Sequence, residues 1–281
     1  MSLVSIGKLL LKAQKEKYAV GAFNVENMEM IQAVLEAAKE LRSPVIIQTT
    51  PSTLKYALPE LFFANVKMLA DSCDIPIALH LDHGDSFELA VKVVRAGYSS
   101  VMIDGSKLSL QDNIALTKSV VAVCRSCGVS VEGELGSIGG KEDNITGEIR
   151  YTDPKEAAYF ALQTQVDALA VAIGTAHGVY KNEPKLNIEI LKQIRKSTNV
   201  PLVLHGTSGV PNEIVKECIS NGICKVNYAT DLRIAFSSGI KEYLKKDYNV
   251  FDPKKYNAYA RQMVKECVMQ RINVCGSENK V

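Results

Sequence analysis

The chain has 281 residues, of which 47% are hydrophobic and 23% are charged, as in an ordinary globular protein. The net charge is +2 and tryptophan is absent, so neither a nucleic-acid surface nor a membrane surface is indicated. The start of the chain lacks a signal-peptide pattern, no apolar run approaches the roughly 20 residues of a spanning helix, and the seven cysteines have no regular spacing. We therefore expect a cytoplasmic protein with no nucleic-acid or membrane partner.

Short β-rich runs alternate with helical patterns along the whole chain. The predicted strands are residues 18–25, 44–50, 76–82, 100–104, 129–135, 168–174, 201–205 and 225–228. Apolar residues at three- and four-residue spacing predict a helix over residues 28–41. Prolines typical of a first helical turn predict another over residues 211–220 and one after Asp153. No linker interrupts the pattern, so we expect one domain over residues 1–281.

Eight strands that alternate with helices predict a single (β/α)8 TIM barrel with parallel strands. The strands are nearly continuous runs of Val, Ile, Ala and Leu, which is typical of strands covered on both faces. A doubly wound open sheet is the alternative, but it favours a glycine-rich loop after the first strand, where residues 22–26 read Ala-Phe-Asn-Val-Glu. The long loop after strand 5, residues 136–150, is interpreted either as a mobile lid or as an ordinary solvated loop.

Polar residues cluster at the predicted carboxyl ends of the strands, where a barrel places its chemistry. They are Asn24, Thr50, Asp82, His83, Asp104, Glu132, Glu134, His177, His205 and Asn227. Three imidazoles with an open fourth position form a common catalytic zinc set. His83, His177 and His205 are therefore candidate metal ligands.

Two histidines of strand 3 have different expected roles. His80 stands two residues before Asp82 and points to the same side of the strand, so we expect it to support the site by hydrogen bonding. His83 reaches that side only if the strand end turns, and Gly84 offers such a turn.

The carboxylates among these residues suggest acid–base chemistry. Asp82, beside a candidate ligand, can move a proton to or from a substrate oxygen. Asp104, Glu132 and Glu134 are interpreted as a second cation site, as groups that orient the histidines, or as members of ordinary salt bridges.

Two loops are candidates for phosphate binding. Residues 206–209 read Gly-Thr-Ser-Gly after strand 7, and residues 227–230 read Asn-Tyr-Ala-Thr at strand 8. Barrels often bind phosphate there, although tight turns also require glycine. Lys225 is placed at the start of strand 8, the wrong end for a Schiff-base lysine, so carbanion chemistry in this barrel would need a metal.

The sequence resembles the class II, zinc-dependent ketose-bisphosphate aldolases over essentially the whole chain. The similar segments are residues 18–24, 79–84, 100–106, 131–136, 172–178, 201–206 and 225–231. Within that family, residues 227–232 and 271–277 are most similar to the tagatose-1,6-bisphosphate aldolases, and the fructose-1,6-bisphosphate aldolases are close relatives.

The resemblance implies roles for individual residues. It implies that His83, His177 and His205 bind Zn2+, that Asp82 donates a proton to the aldehyde-derived oxygen, and that Glu142 on the lid is the base. Asp104 and Glu134 match an alternative metal position of the family. The candidate substrate-binding residues are Asn24, Thr50, Gly178, Gly206, Thr207, Ser208, Asn227, Tyr228, Ala229, Thr230 and, for the far phosphate, Arg261.

The expected reaction is the reversible cleavage of a ketohexose 1,6-bisphosphate, with tagatose favoured over fructose, to dihydroxyacetone phosphate and glyceraldehyde 3-phosphate. The resemblance further implies a monovalent cation, Na+ or K+, and a homodimer or homotetramer. A zinc hydrolase on the same barrel is one alternative, but it favours His-x-His on strand 1 and an aspartate on strand 8, where this chain has Asn24 and Asn227. A non-enzymatic sugar-phosphate binding protein is the other alternative, and it would need no metal.

Overall fold

The computed structural model describes residues 3–137, 139–142, 145–147, 150–178, 180 and 184–281. In these ranges the strands are β1 (Val20–Asn24), β2 (Val45–Thr49), β3 (Ile77–Gly84), β4 (Ser100–Ile103), β5 (Ser130–Leu135), β6 (Gly139–Glu142), β7 (Ile145–Gly147), β8 (Ala168–Val171), β9 (Ala176–His177), β10 (Leu202–Leu204) and β11 (Ile223–Tyr228). The helices are α1 (Ile6–Glu16), α2 (Met28–Glu40), α3 (Pro51–Tyr56), α4 (Pro59–Asp71), α5 (Phe87–Ala96), α6 (Leu110–Ser126), α7 (Pro154–Thr164), α8 (Ile188–Ser197), α9 (Asn212–Ser220), α10 (Thr230–Lys246) and α11 (Pro253–Cys275).

Within the described ranges, eight parallel strands close into a barrel in the order β1-β11-β10-β8-β5-β4-β3-β2. Each coincides with one predicted strand, so the (β/α)8 prediction is confirmed and the open-sheet alternative is wrong. The loop after β5 contains an antiparallel hairpin of β6 and β7, and β6 also pairs with β9. This loop is thereby connected to the strand that carries His177.

The helices begin where the sequence supplies capping groups. The Asn27 side chain accepts a hydrogen bond from the Met30 amide at 2.9 Å at the start of α2. Asp153 caps α7, as predicted, by accepting from the amides of Lys155 and Glu156 at 2.7 and 3.0 Å. Each such cap stabilises its helix by about 1 kcal/mol. Within the described ranges, none of the helices combines the length and the apolar character that crossing a membrane requires.

Helix α1, which the strand pattern did not predict, closes the amino-terminal mouth of the barrel. Its buried face includes Ile6, Leu10 and Ala13, and these residues belong to one apolar cluster with interior strand residues such as Val20 and Ala168. Apolar burial of this kind contributes roughly 25 cal/mol per Å². The barrel interior at the end covered by α1 is therefore largely apolar, whereas Asp82, His83 and His205 lie at the carboxyl end.

Candidate active site

The end of β3 turns so that Asp82 and His83 both face the carboxyl-terminal mouth. His83 itself adopts a left-handed conformation, with φ +49°, and the pairing of β3 with β4 is irregular between Leu81 and Gly84. Such a backbone costs about 1–3 kcal/mol in a residue other than glycine. The turn expected at Gly84 therefore lies one residue earlier, while Gly84 permits close packing because a Cβ there would lie 2.4 Å from the Met102 carbonyl oxygen.

The structure brings His83, His177 and His205 together at this mouth. One nitrogen of each ring lies within 4.8 Å of the others, and His83 Nε2 is 3.0 Å from His205 Nδ1. The His83 ring is nearly perpendicular to the other two, with centroid distances of 5.0 and 4.8 Å. Three ring nitrogens that converge on one point from different strands are suited to holding a metal ion.

Two carboxylates face the other nitrogen of His83. Its Nδ1 is 3.1 Å from Asp104 Oδ2 and 3.7 Å from Glu134 Oε2. These three residues form a second group with metal-ligand spacing. Glu134 Oε2 is buried and has no hydrogen-bond partner within the described part of the chain. A buried carboxylate oxygen of this kind favours a cation or a proton beside it.

Electrostatics distinguishes the groups of this cluster. Burial lowers the pKa values of His177 and His205, and the nearby His83 lowers them further. Burial alone would also lower the pKa of His83, but Asp82 and Asp104 outweigh it and raise that pKa well above its ordinary value. Burial, together with Asp104, raises the pKa of Glu134. A metal ion at the imidazoles would therefore displace a proton from His83.

A buried charge pair lies behind His205. Lys225 Nζ donates to Glu132 Oε2 at 2.9 Å, and Glu132 Oε1 lies 2.9 Å from His205 Nε2. Lys225 was predicted to start its strand, and this was wrong: β11 begins at Ile223, so Lys225 is its third residue. Lys225 is two residues before Asn227, and this spacing is the signal that both point into the barrel. Lys225 is buried in its pair with Glu132 and is not among the described residues that line the cavity at the mouth, so it is not placed as a Schiff-base lysine.

His80 is buried beside this pair. Its Nδ1 is 2.7 Å from Ser100 Oγ, and its Nε2 is 3.7 Å from Glu132 Oε2. Burial, followed by the positive charge of Lys225, lowers the pKa of His80 to about 3. The ring is therefore neutral at physiological pH.

Asp82 is held by amide groups from two other strands. Asn24 Nδ2 donates to Asp82 Oδ2 at 2.9 Å, and Asn227 Nδ2 donates to Asp82 Oδ1 at 3.0 Å. Gln48, which the sequence did not single out, orients Asn24 by donating to its Oδ1 at 2.7 Å. Burial alone would raise the pKa of Asp82, but the positive potential of His83 outweighs it and holds that pKa below its ordinary value. Asp82 is thus a carboxylate that can accept a proton.

A small cavity adjoins these groups, and most of the predicted binding residues line it. Its lining consists of Asn24, Asp82, His177, Gly178, Gly206, Thr207, Ser208, Asn227, Ala229 and Thr230. Helix α10 begins at Thr230, and Ser208 Oγ accepts from the Asp231 amide at 3.4 Å. Hydroxyl groups and a helix amino terminus at one small cavity favour binding of an anion.

A tyrosine that the sequence reading did not identify joins the segment of Ala176 and Gly178 to the loop of residues 206–209. Tyr180 Oη accepts from the Ala176 amide at 2.6 Å and donates to the Gly206 carbonyl at 2.7 Å. Gly206 has φ +65°, and a Cβ there would lie 2.7 Å from the Ala176 carbonyl oxygen. Glycine is therefore required by the close approach as well as by the backbone.

The structure does not bring three of the predicted side chains to this cavity. Thr50 caps α3 instead, and the Tyr228 ring faces outwards and stacks on Phe23 at 5.7 Å. Arg261 donates to Gln32 at 2.7 Å on the outer surface between α11 and α2. Strand alternation explains Tyr228, which is one residue after the inward Asn227.

The predicted base cannot be located in the same way. The backbone of Glu142 ends β6, but its side chain lies outside the described residues.

A parallel barrel whose carboxyl-terminal mouth combines three imidazoles at metal-ligand spacing, a buried carboxylate and a small polar cavity is typical of one class of protein, the metal-assisted barrel enzymes. The chain belongs to one family of this class, fructose-bisphosphate aldolase class-II, whose model matches residues 4–280. It is therefore a lyase.

Solved structures of aldolases have the same fold. The YdjI aldolase from Escherichia coli K12 is 35% identical, with a TM-score of 0.88, and the match covers 99% of each chain. Fructose-bisphosphate aldolase from Campylobacter jejuni is 26% identical, with a TM-score of 0.85, and the match covers 100% of this chain and 97% of that one. These matches extend over the barrel and the terminal helices α1 and α11.

Proposed function

We propose that this protein is a zinc-dependent aldolase that reversibly cleaves a ketohexose 1,6-bisphosphate to dihydroxyacetone phosphate and glyceraldehyde 3-phosphate. The observation that carries the proposal is the convergence of His83, His177 and His205 beside Asp82, at the edge of an anion cavity. A carbon–carbon lyase needs these three functions in one place: an electrophile for the ketone, a group that moves the hydroxyl proton, and a holder for the phosphate.

The donor atoms fit zinc. Two nitrogens bound to tetrahedral zinc at 2.0–2.1 Å lie about 3.3 Å apart, and His83 Nε2 and His205 Nδ1 are 3.0 Å apart. His83, His177 and His205 would hold the ion, and three protein ligands are the number typical of a catalytic zinc site. Asp104 and Glu134 supply oxygen ligands on the far side of His83, and we assign them to an alternative metal position.

Zinc, when bound, would supply a Lewis acid that polarises the triose-phosphate ketone. In the cleavage direction, the Asp82 carboxylate accepts the proton of the C4 hydroxyl as the C3–C4 bond breaks. In condensation, Asp82 returns this proton to the aldehyde-derived oxygen. Glu142 removes the dihydroxyacetone phosphate proton at the carbon that forms the new bond. Asn24 and Asn227 keep the Asp82 carboxylate oriented during both directions.

The phosphate of dihydroxyacetone phosphate is assigned to the cavity formed by Gly178, Gly206–Ser208 and Asn227–Thr230. Among the described residues that line it, none is lysine or arginine. Backbone amides and hydroxyls alone neutralise a phosphate dianion incompletely. This supports a monovalent cation, Na+ or K+, bound beside the phosphate.

Tagatose 1,6-bisphosphate is the favoured substrate, and fructose 1,6-bisphosphate is the alternative. The favoured substrate is supported by the similarity of residues 227–232 and 271–277 to the tagatose enzymes, whereas the family is named for fructose bisphosphate. The two sugars differ in configuration at C4. The purified enzyme should be incubated with both triose phosphates and the ketohexose product identified by chromatography against both standards. A product consisting of fructose 1,6-bisphosphate alone would refute the tagatose assignment but not the aldolase mechanism.

Organisation of the protein completes the proposal. We propose that residues 1–281 form one domain. We further propose that the enzyme assembles as a homodimer or homotetramer and that it is located in the cytoplasm. Analytical ultracentrifugation of the zinc-loaded protein distinguishes the two assemblies from a monomer.

A further inference from the structure

Glu132 and Lys225 form an ion pair inside the barrel, beneath the imidazole cluster. Both side chains are fully buried, so neither is available to a substrate at the mouth. Each oxygen of Glu132 has its own partner: Oε2 accepts from Lys225 Nζ and Oε1 is 2.9 Å from His205 Nε2. Burying such a pair costs desolvation free energy, so it is weak support for stability by itself.

The pair determines how the His205 ring is presented. The Glu132 carboxylate has no proton to donate, so His205 Nε2 must carry the hydrogen in this contact. The lone pair of neutral His205 is then on Nδ1, the atom that lies 3.0 Å from His83 Nε2 in the cluster. Lys225 prevents rotation of the carboxylate because it occupies the second oxygen.

We propose that Glu132 and Lys225 are positioning residues that hold His205 with Nε2 protonated and Nδ1 directed at the metal. This inference rests on the proposed zinc site. Glu132 touches neither the cavity nor the metal position, and acts through the imidazole. Outer carboxylates of this kind raise the affinity of a site for its metal about 10–100-fold.

The test compares zinc affinity in the Glu132→Gln and Lys225→Met variants by competition with a chromophoric chelator. In Glu132→Gln one amide oxygen must serve two donors, Lys225 and His205, so zinc affinity should fall about 10–100-fold. In the double variant the amide oxygen is free to accept from His205. The double variant should therefore bind zinc more tightly than Glu132→Gln alone, which a loss of fold stability would not produce.

Thr49→Val is the matched control. Thr49 Oγ1 makes a buried hydrogen bond of 2.9 Å to Tyr98 Oη, and neither residue is a candidate metal ligand, so this variant should lose stability but retain zinc affinity. Unfolding of each protein in excess chelator reports the cost to the fold alone. The absorption spectrum of the cobalt-substituted protein should change in Glu132→Gln and remain unchanged in Thr49→Val.

A further test uses the parent protein and so does not depend on the folding of a variant. 15N NMR of zinc-loaded protein with 15N-labelled histidine should show His205 protonated at Nε2, and protonation at Nδ1 would overturn the inference. Zinc affinities of both single variants within about threefold of the parent would also overturn it, since that is less than 1 kcal/mol. Absence of zinc binding by the parent protein would instead refute the proposed function.

Discussion

Replacing Asp82 by alanine should abolish turnover while leaving zinc in place. The carboxylate oxygens accept from Asn24 Nδ2 and Asn227 Nδ2. Zinc affinity should fall far less than turnover, because the ring nitrogens of His83 and His205 that face away from the metal position keep their carboxylate neighbours, Asp104 and Glu132.

The magnitude follows from the role of the group. A positioned acid or base contributes about 10²–10⁴ in rate, or ~3–5 kcal/mol of the activation barrier. The substitution also leaves the Nδ2 groups of Asn24 and Asn227 without an acceptor, and each loss costs about 1–3 kcal/mol of unfolding free energy. The variant should thus be destabilised as well as inactive, so both quantities must be measured.

The assay is steady-state cleavage coupled to triose-phosphate detection, with zinc content measured on the same sample. Asp74→Ala is the control, because Asp74 lies before the opposite end of the same strand in an exposed pair with Arg42. It should leave kcat unchanged. A kcat for Asp82→Ala within about tenfold of the parent would refute the role of Asp82, since that is below the range for acid–base catalysis.

Other perturbations test the remaining parts of the site. Exhaustive chelation should abolish activity and zinc should restore it, whereas full activity of metal-free protein would contradict the mechanism. Gly206→Ala should lower the unfolding free energy by about 1–3 kcal/mol through its φ of +65°; an unchanged melting temperature would argue against this strain. Ser208→Ala should raise KM about tenfold by removing a phosphate hydrogen bond, and an unchanged KM would place the phosphate elsewhere. The positive charge of Lys225 outweighs burial and lowers the pKa of Glu132 to about 2 in the folded protein. The contribution of ionised Glu132 to the unfolding free energy is therefore complete above its pKa in the unfolded chain, about 4.3, and is lost as the pH falls towards 2. The urea midpoint of metal-free protein should accordingly decrease between pH 6 and pH 3, and a constant midpoint would contradict this.

Much of the barrel could be predicted because its signals are local. Each strand is a short apolar run bounded by polar or turn residues, and alternation with helices leaves few topologies for a chain of this length. Helix α1 was not predicted, because it precedes the first strand and so lies outside the strand–helix alternation. Its role appears only when Ile6 and Leu10 are seen filling the barrel mouth.

The candidate site could be proposed from the sequence for the same reason. A polar residue at the end of a buried strand has few structural explanations, so His83, His177 and His205 could be selected together. The position of Arg261 could not be predicted from the sequence, because its contact with Gln32 of α2 depends on packing between segments far apart in the chain.

The sequence by itself determined which residue types stand at the ends of which strands, and hence the three imidazoles, Asp82 and the two candidate phosphate loops, residues 206–209 and 227–230. Only the tertiary structure decided where those side chains point. The left-handed turn at His83 and the burial of Lys225 against Glu132 depend on contacts between strands far apart in sequence. The physical reason is that period-2 alternation assigns a face only after the strand's start and irregularities are known, and these are set by neighbouring strands.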